Sequence, residues 1–360
     1  MGRSLPPGLG PEKEIADFVA SRMKKLGLDT QVEECEPGRP NAIGLLEKKG
    51  KPLLLLDSHL DTVPVDGMDK PFDPVLKNET VFGRGSCDTK ATMAMFLTAL
   101  EEIHREGKEL SWSLLIAGTM DEELYARGAA QLARILSGKN RLPRLAIFGE
   151  PTGLHIIHAH KGIIRLVIET HGKSCHSSKP EAGVNAFYVM AEILQRIQKL
   201  NLDLKKNPDP ILGPATLNPG VLSGGISINT VPDRAVVEID VRITPGQNPA
   251  TLLEWLKGAF AGIDPASYHI HEAFHHSPPM NTDPNSEGAT GLRAACHSHH
   301  SASEFQTAPY ATDAQAFAPF GVPCLVFGPG DIALAHTPGE CVNVPELETG
   351  VRILKDFLTR

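Results

Sequence analysis

Four short apolar runs, each leading into acidic or imidazole residues, constrain the fold of this chain more than any other feature. Residues 53–56 run into Asp57-Ser58-His59-Leu60-Asp61, and 113–117 run towards Asp121-Glu122-Glu123. Residues 145–148 run into Gly149-Glu150-Pro151-Thr152, and 324–327 into Gly328-Pro329-Gly330 with His336 beyond. The runs are continuous rather than alternating, which predicts strands buried on both faces of a mostly parallel sheet. Helical patterns over 12–26, 89–105, 126–137 and 346–358 lie between and around them. That alternation predicts an α/β fold, in which ligands gather at the carboxyl ends of the strands.

The middle of the chain reads differently. Strand patterns at 163–170, 216–222, 235–243 and 267–273 alternate with helical patterns at 185–200 and 250–261. The order β-α-β-β-α-β is that of a small ferredoxin-like domain. The expected organisation is therefore one domain of 1–161 and 277–360 carrying the site, with 162–276 inserted into it. A length of 360 residues agrees with more than one core.

Composition removes several function classes. A formal net charge of −8 argues against a nucleic-acid surface. No apolar run approaches the roughly 20 residues that span a bilayer. The opening residues hold no apolar stretch of a secretory leader, so a cytoplasmic protein is expected. Six cysteines without a CxxC or framework spacing read as reduced, mostly structural thiols.

Taken singly, the polar clusters have bland readings. His59-x-Asp61 could be a capped turn, Asp88 an N-cap, Asp121-Glu122-Glu123 a solvated helix start, Glu150 an exposed loop acid and His336 a surface histidine. Their conjunction beside sheet elements is harder to explain that way. Crowded carboxylates raise one another's pKa unless cations intervene. Two divalent ions would balance Asp88, Glu123 and Glu150 together with one hydroxide, and His59 and His336 would supply one nitrogen to each ion. Mixed nitrogen and oxygen ligation suits zinc, with cobalt or manganese as substitutes. Cys296-His297-Ser298-His299-His300 lacks a second ligand pair and is expected to be an exposed loop without a role. No GxSxG elbow and no GK[ST] phosphate loop is present.

The segments His59-Leu-Asp-Thr-Val63, Gly83-Arg-Gly-Ser-Cys-Asp-Thr-Lys90, Asp121-Glu-Glu123, Gly149-Glu-Pro-Thr152, Gly328-Pro-Gly330 and Ala335-His-Thr337 resemble those of the M20 metallopeptidase and deacylase family over essentially the whole chain. The resemblance implies a dizinc catalytic domain and an inserted lid through which a homodimer forms. It implies His59 and Glu150 on one metal, Glu123 and His336 on the other, and Asp88 bridging. Asp61 would orient His59, and Glu122 would be the general base for a bridging hydroxide. Within the family, Ala159-His-Lys-Gly162, His176-Ser-Ser178 and Gly183-Val-Asn-Ala186 look most like the acetylornithine deacetylase branch. There His176 would help hold the oxyanion in the partner's site, while Asn229 and Arg242 would face the substrate. The bland alternative for Arg242 is a surface ion pair on a strand. Two departures touch no implied ligand: Ala91 stands where relatives carry glycine, and the family's helix before Glu12 has little room here.

The expected activity is hydrolysis of the amide of an N-acyl amino acid, with N-acetyl-ornithine favoured. Succinyl-diaminopimelate or a dipeptide is the alternative substrate. A catalytically silent, metal-stabilised binding protein is the alternative class, and the unliganded Glu122 speaks against it.

Overall fold

The computed structural model describes residues 12–65, 67–300 and 302–360; the stretch 1–11, examined above for a leader, lies outside them. The chain begins with α1 (Lys13–Lys25), β1 (Asp29–Glu36), β2 (Arg39–Leu46) and β3 (Leu53–His59). Next come β4 (Val75–Lys77), β5 (Thr80–Phe82), α2 (Lys90–Glu106), β6 (Ser113–Thr119), α3 (Arg127–Gly138), β7 (Leu145–Phe148) and β8 (Ile156–His160). The middle holds β9 (Gly162–His171), α4 (Ala186–Leu204), β10 (Thr216–Gly224), β11 (Arg234–Ile243), α5 (Pro249–Ala259), β12 (Tyr268–Ile270) and β13 (His275–Ser277). The chain closes with β14 (Met280–Asn281), α6 (Glu287–His299), β15 (Phe305–Ala308), β16 (Cys324–Val326), β17 (Cys341–Asn343) and α7 (Val344–Thr359).

Two compact units result. Of the described residues, the first comprises 12–159, 280–307 and 312–360; the second comprises 160–279 and 308–311. In the first unit a large sheet has the order β1-β2-β6-β3-β7-β16-β8-β14. Its centre is parallel, β6 with β3, β3 with β7 and β7 with β16, while β2 and β8 join antiparallel. The parallel strands are the four apolar runs. Helices cover them: Met93, Phe96, Leu97, Leu100 and Ile103 give α2 a buried stripe at three- and four-residue spacing. Gly107, with φ of 63°, ends α2 in the left-handed conformation. The buried face of α7, including Val351, Leu354 and Phe357, joins the same core.

The second unit is a sheet ordered β10-β11-β9-β12, with β13 also on β9. Along β9, Ile164, Leu166 and Ile168 alternate with more exposed residues, so one face packs against α4 and α5. Asn185 caps α4 by accepting from the Phe187 amide, and Asn248 caps α5 by accepting from Ala250 and Thr251.

Two local expectations need correction. The strand expected over 267–273 is shortened to β12, and β13 follows beyond its expected end. Between Ile270 and His275 the chain advances five residues while β9 advances three, from Ile168 to Arg165, so two residues bulge out. The cluster Cys296–His300 is not a loop: Cys296 to His299 form the last turn of α6, with the Cys296 side chain buried in the core. The periodic burial of Ala289, Leu292, Ala295 and Cys296 carries the helix through it.

Candidate metal centre and active site

Because β6, β3, β7 and β16 are adjacent and parallel, their carboxyl ends open on one edge. His59 is the last residue of β3, and Glu150 follows β7 by two residues. Glu122 and Glu123 lie in the loop after β6, and His336 in the loop after β16. Asp88 precedes α2; the N-cap position itself falls to Thr89, so the Asp88 carboxylate does not cap the helix.

These side chains converge. Ligand atoms of His59, Asp88 and Glu150 lie within 4.8 Å of one another, as do those of Asp88, Glu123 and His336. Asp88 is common to both groups: Oδ1 is 2.9 Å from His59 Nε2, and Oδ2 is 3.2 Å from His336 Nε2. His336 Nε2 is also 3.0 Å from Glu123 Oε2. Glu123 Oε1 is buried and has no hydrogen-bond partner among the described residues. A shared carboxylate flanked by two one-imidazole, one-carboxylate sets, with one oxygen left over, fits a pair of divalent ions. Asp61 supports the arrangement. Its carboxylate accepts from the amides of Glu122 and Glu123 at 3.1 and 3.2 Å and lies 3.4 Å from His59 Nδ1. The Asp61 carbonyl lies nearer that nitrogen, at 3.2 Å.

The protonation states follow from this crowding. Burial first, then the Glu150 charge, pushes Glu122 well above the usual carboxylate range. Burial and the Asp88 charge do the same to Glu150. Asp88 is held low: burial opposes ionisation, but hydrogen bonds from His336 and His59 outweigh it. His336 is raised to about 10 by its hydrogen bonds to Asp88 and Glu123.

The loop carrying Glu122 and Glu123 is fixed from below. Asn41 Nδ2 donates to the Gly128 carbonyl at 3.0 Å, and Asn41 Oδ1 accepts from the Met120 amide at 3.0 Å. A Cβ on Gly128 would stand 2.4 Å from Asn41 Oδ1 and 2.6 Å from Met120 N. Gly128→Ala is therefore expected to destabilise the protein by about 1–3 kcal/mol, read from the urea midpoint.

Several further polar groups lie at this edge. Thr119 Oγ1 lies 2.9 Å from Asp57 Oδ1 and 2.7 Å from Asp313 Oδ2, and one hydroxyl proton cannot serve both carboxylates. Burial raises Asp313 to about 7; burial and the Asp313 charge raise Asp57 as well. Lys90 Nζ donates to the Asp61 carbonyl at 3.2 Å, and Glu340 is buried beneath Asp88. Asp313 and Glu340 lie far along the chain from the strands they support, so spacing alone could not find them.

The other residues singled out in the sequence belong to the second unit. His176 is exposed, with Nδ1 2.8 Å from Ser178 Oγ. It neighbours Asn229 through a bridge to Thr230 and a bond from the Ser177 amide to the Asn229 carbonyl at 3.0 Å. Arg242 Nε donates to Asp240 Oδ1 at 2.8 Å, so an ion pair on a strand is the contact it makes here.

The fold and the paired-ligand edge define a metal-dependent hydrolase on an α/β sheet. Residues 55–360 match peptidase family M20/M25/M40. An acetylornithine deacetylase of Aliivibrio salmonicida (strain LFI1238) is 32% identical over 354 residues, covering 96% of this chain and 90% of that protein. A tripeptidase from Staphylococcus aureus has the same fold at 19% identity, with TM-score 0.81 over 98% of this chain and 93% of that one. The Bacillus subtilis YXEP protein, a dinuclear metal-binding peptidase of the family, matches at 15% identity with TM-score 0.70 over 98% and 93% of the two chains. The chain belongs to the M20 peptidase family and is a metal-dependent amidohydrolase.

Proposed function

We propose that this protein hydrolyses the amide bond of an N-acyl amino acid, with N-acetyl-ornithine as the first substrate to test. The observation that carries the reading is the Asp88 carboxylate shared between the His59 and His336 sets, with the Glu122 backbone amide bonded to Asp61. His59 and Glu150 would hold one ion, Glu123 and His336 the other, and Asp88 both. Two zinc ions suit this donor set, and cobalt substitutes. Bound there, divalent ions would acidify a water and polarise the amide carbonyl.

The chain's own groups do the rest. Glu122 takes a proton from the attacking water and delivers it to the leaving amine. Its raised proton affinity suits a group that must be base and then acid. His176 donates to the developing oxyanion in the site of the partner subunit, and Asn229 and Arg242 face the substrate, Arg242 exchanging Asp240 for the substrate carboxylate. The second unit acts as a lid and as the contact of a homodimer. Six free cysteines agree with a reducing, cytoplasmic setting.

The test is amine release from N-acetyl-ornithine, N-acetyl-citrulline, N-succinyl-diaminopimelate and a dipeptide, by metal-free and by zinc- or cobalt-reloaded protein. Metal-restored turnover of acetyl-ornithine supports the full reading. Preference for another member keeps the site and moves the substrate. Two ions bound with no turnover of any member favours a silent binding protein or a substrate outside this panel.

Metal uptake should also release protons. With its pKa near 10 in the metal-free protein, His336 is protonated at neutral pH and must lose that proton to serve as a ligand. Apparent affinity is therefore expected to rise through the neutral range, up to about tenfold per pH unit for each proton released. Calorimetry in buffers of different ionisation heat would show this; no proton release between pH 6 and 8 would mean that the metal-free protein already holds His336 deprotonated.

A further inference from the structure

We infer that Glu340, which touches no metal-site side chain, is the positioning residue that sets Asp88 and His336 at their working separation. Glu340 is buried, and Oε1 accepts from the backbone amides of Cys87 and Asp88 at 2.9 and 3.0 Å. Oε2 is ion-paired with the equally buried Arg84, the second residue of the Gly83–Asp88 stretch of the same loop. One carboxylate thus grips both ends of the segment that delivers the shared ligand.

The backbone of Glu340 ties in the other loop. Its carbonyl accepts from the Gly83 amide at 3.2 Å, and its amide donates to the Thr337 carbonyl, next to His336, at 3.4 Å. Immediately after it, β17 pairs antiparallel with β5, Cys341 opposite Phe82, which pins both strands at the base of the two loops. Glu340 lies four residues beyond His336 and more than 250 positions after Asp88, so it joins the two loops by a short stretch of chain on one side and by hydrogen bonds on the other. A buried ion pair gives little net stability over an apolar replacement. Two backbone amides aimed at one carboxylate do fix the direction in which Asp88 leaves the chain. Groups behind metal ligands in this way typically govern affinity by about 10–100-fold.

The inference rests on the metal-site reading above, and cobalt binding separates the two. Wild-type, Glu340→Gln and Glu340→Asp proteins would be titrated with cobalt by calorimetry, and the visible spectrum of the bound ion recorded. The glutamine keeps the volume but turns an amide group towards Arg84; the aspartate keeps the charge but draws it back from the Cys87 and Asp88 amides. Both are expected to bind cobalt about 10–100-fold more weakly, with altered absorption bands. Unchanged affinity and spectrum in folded variants, whatever their stability, would overturn the inference. Failure of both variants to fold would also overturn it, since Glu340 would then hold the unit together rather than the ligands. If the wild-type protein itself takes up no cobalt, the metal-site reading falls first.

Discussion

Glu122→Gln is expected to lower turnover by about two to four orders of magnitude while leaving both metal positions filled. The substitution keeps the side-chain volume, and the Glu122 amide that donates to Asp61 belongs to the backbone, so the loop should stay in place. The proton-accepting carboxylate alone is lost. Glu122 also lies in neither of the two groups that could hold an ion, so metal affinity should change little. Amine release and cobalt titration on the same preparation decide the matter. Turnover within tenfold of wild type would remove Glu122 from the proton path, and loss of metal would mean that it is a ligand.

The second large effect is structural and lies beneath the same loop. The Arg39 guanidinium is buried between Glu12, with which it forms a doubly hydrogen-bonded pair, and Asp121, at 3.1 Å. Asp121 has a φ of 69°, costly for a residue with a Cβ, and its carbonyl accepts from Tyr125 and Ala126 to make the turn that presents Glu122 and Glu123. Arg39→Met would leave Glu12 without the guanidinium and reduce Asp121 to its contacts with Arg127. Breaking a buried pair from one side costs about 3–5 kcal/mol, a large share of the roughly 5–15 kcal/mol that holds a typical protein together. Urea unfolding of metal-free protein should show the drop, and metal loading should recover part of it by mass action. A change under about 1 kcal/mol would mean that water replaces the guanidinium and that the cluster is not sealed.

Legibility in the sequence followed the physics of each element. Strands β3, β6, β7 and β16 were visible because strands covered on both faces must be apolar throughout. Strand β1, reading DTQVEECE at the sheet edge, was not, because an edge strand facing solvent carries no such demand. The short hairpin β4–β5 and its partner β17 were missed for a related reason: three-residue strands have no period to detect. Helix α6 was partly misread at Cys296–His300 because its histidines suggested chemistry while the apolar stripe beneath them continued.

At the site the division is similar. Residues 59, 61, 122, 123, 150 and 336 could be singled out in the sequence because they follow apolar strand runs, and Asp88 because it stands before a helix; the part each would play came from the family resemblance. Their convergence, the sharing of Asp88 and the orphaned Glu123 oxygen depend on the strand order β6-β3-β7-β16, which no local pattern encodes. Asp313 beside Asp57, and Glu340 beneath Asp88, likewise came only from tertiary structure. Local sequence determined what each strand end could offer, because burial and periodicity act over a few residues. Which ends meet, and what lies behind them, was decided by packing among segments hundreds of positions apart.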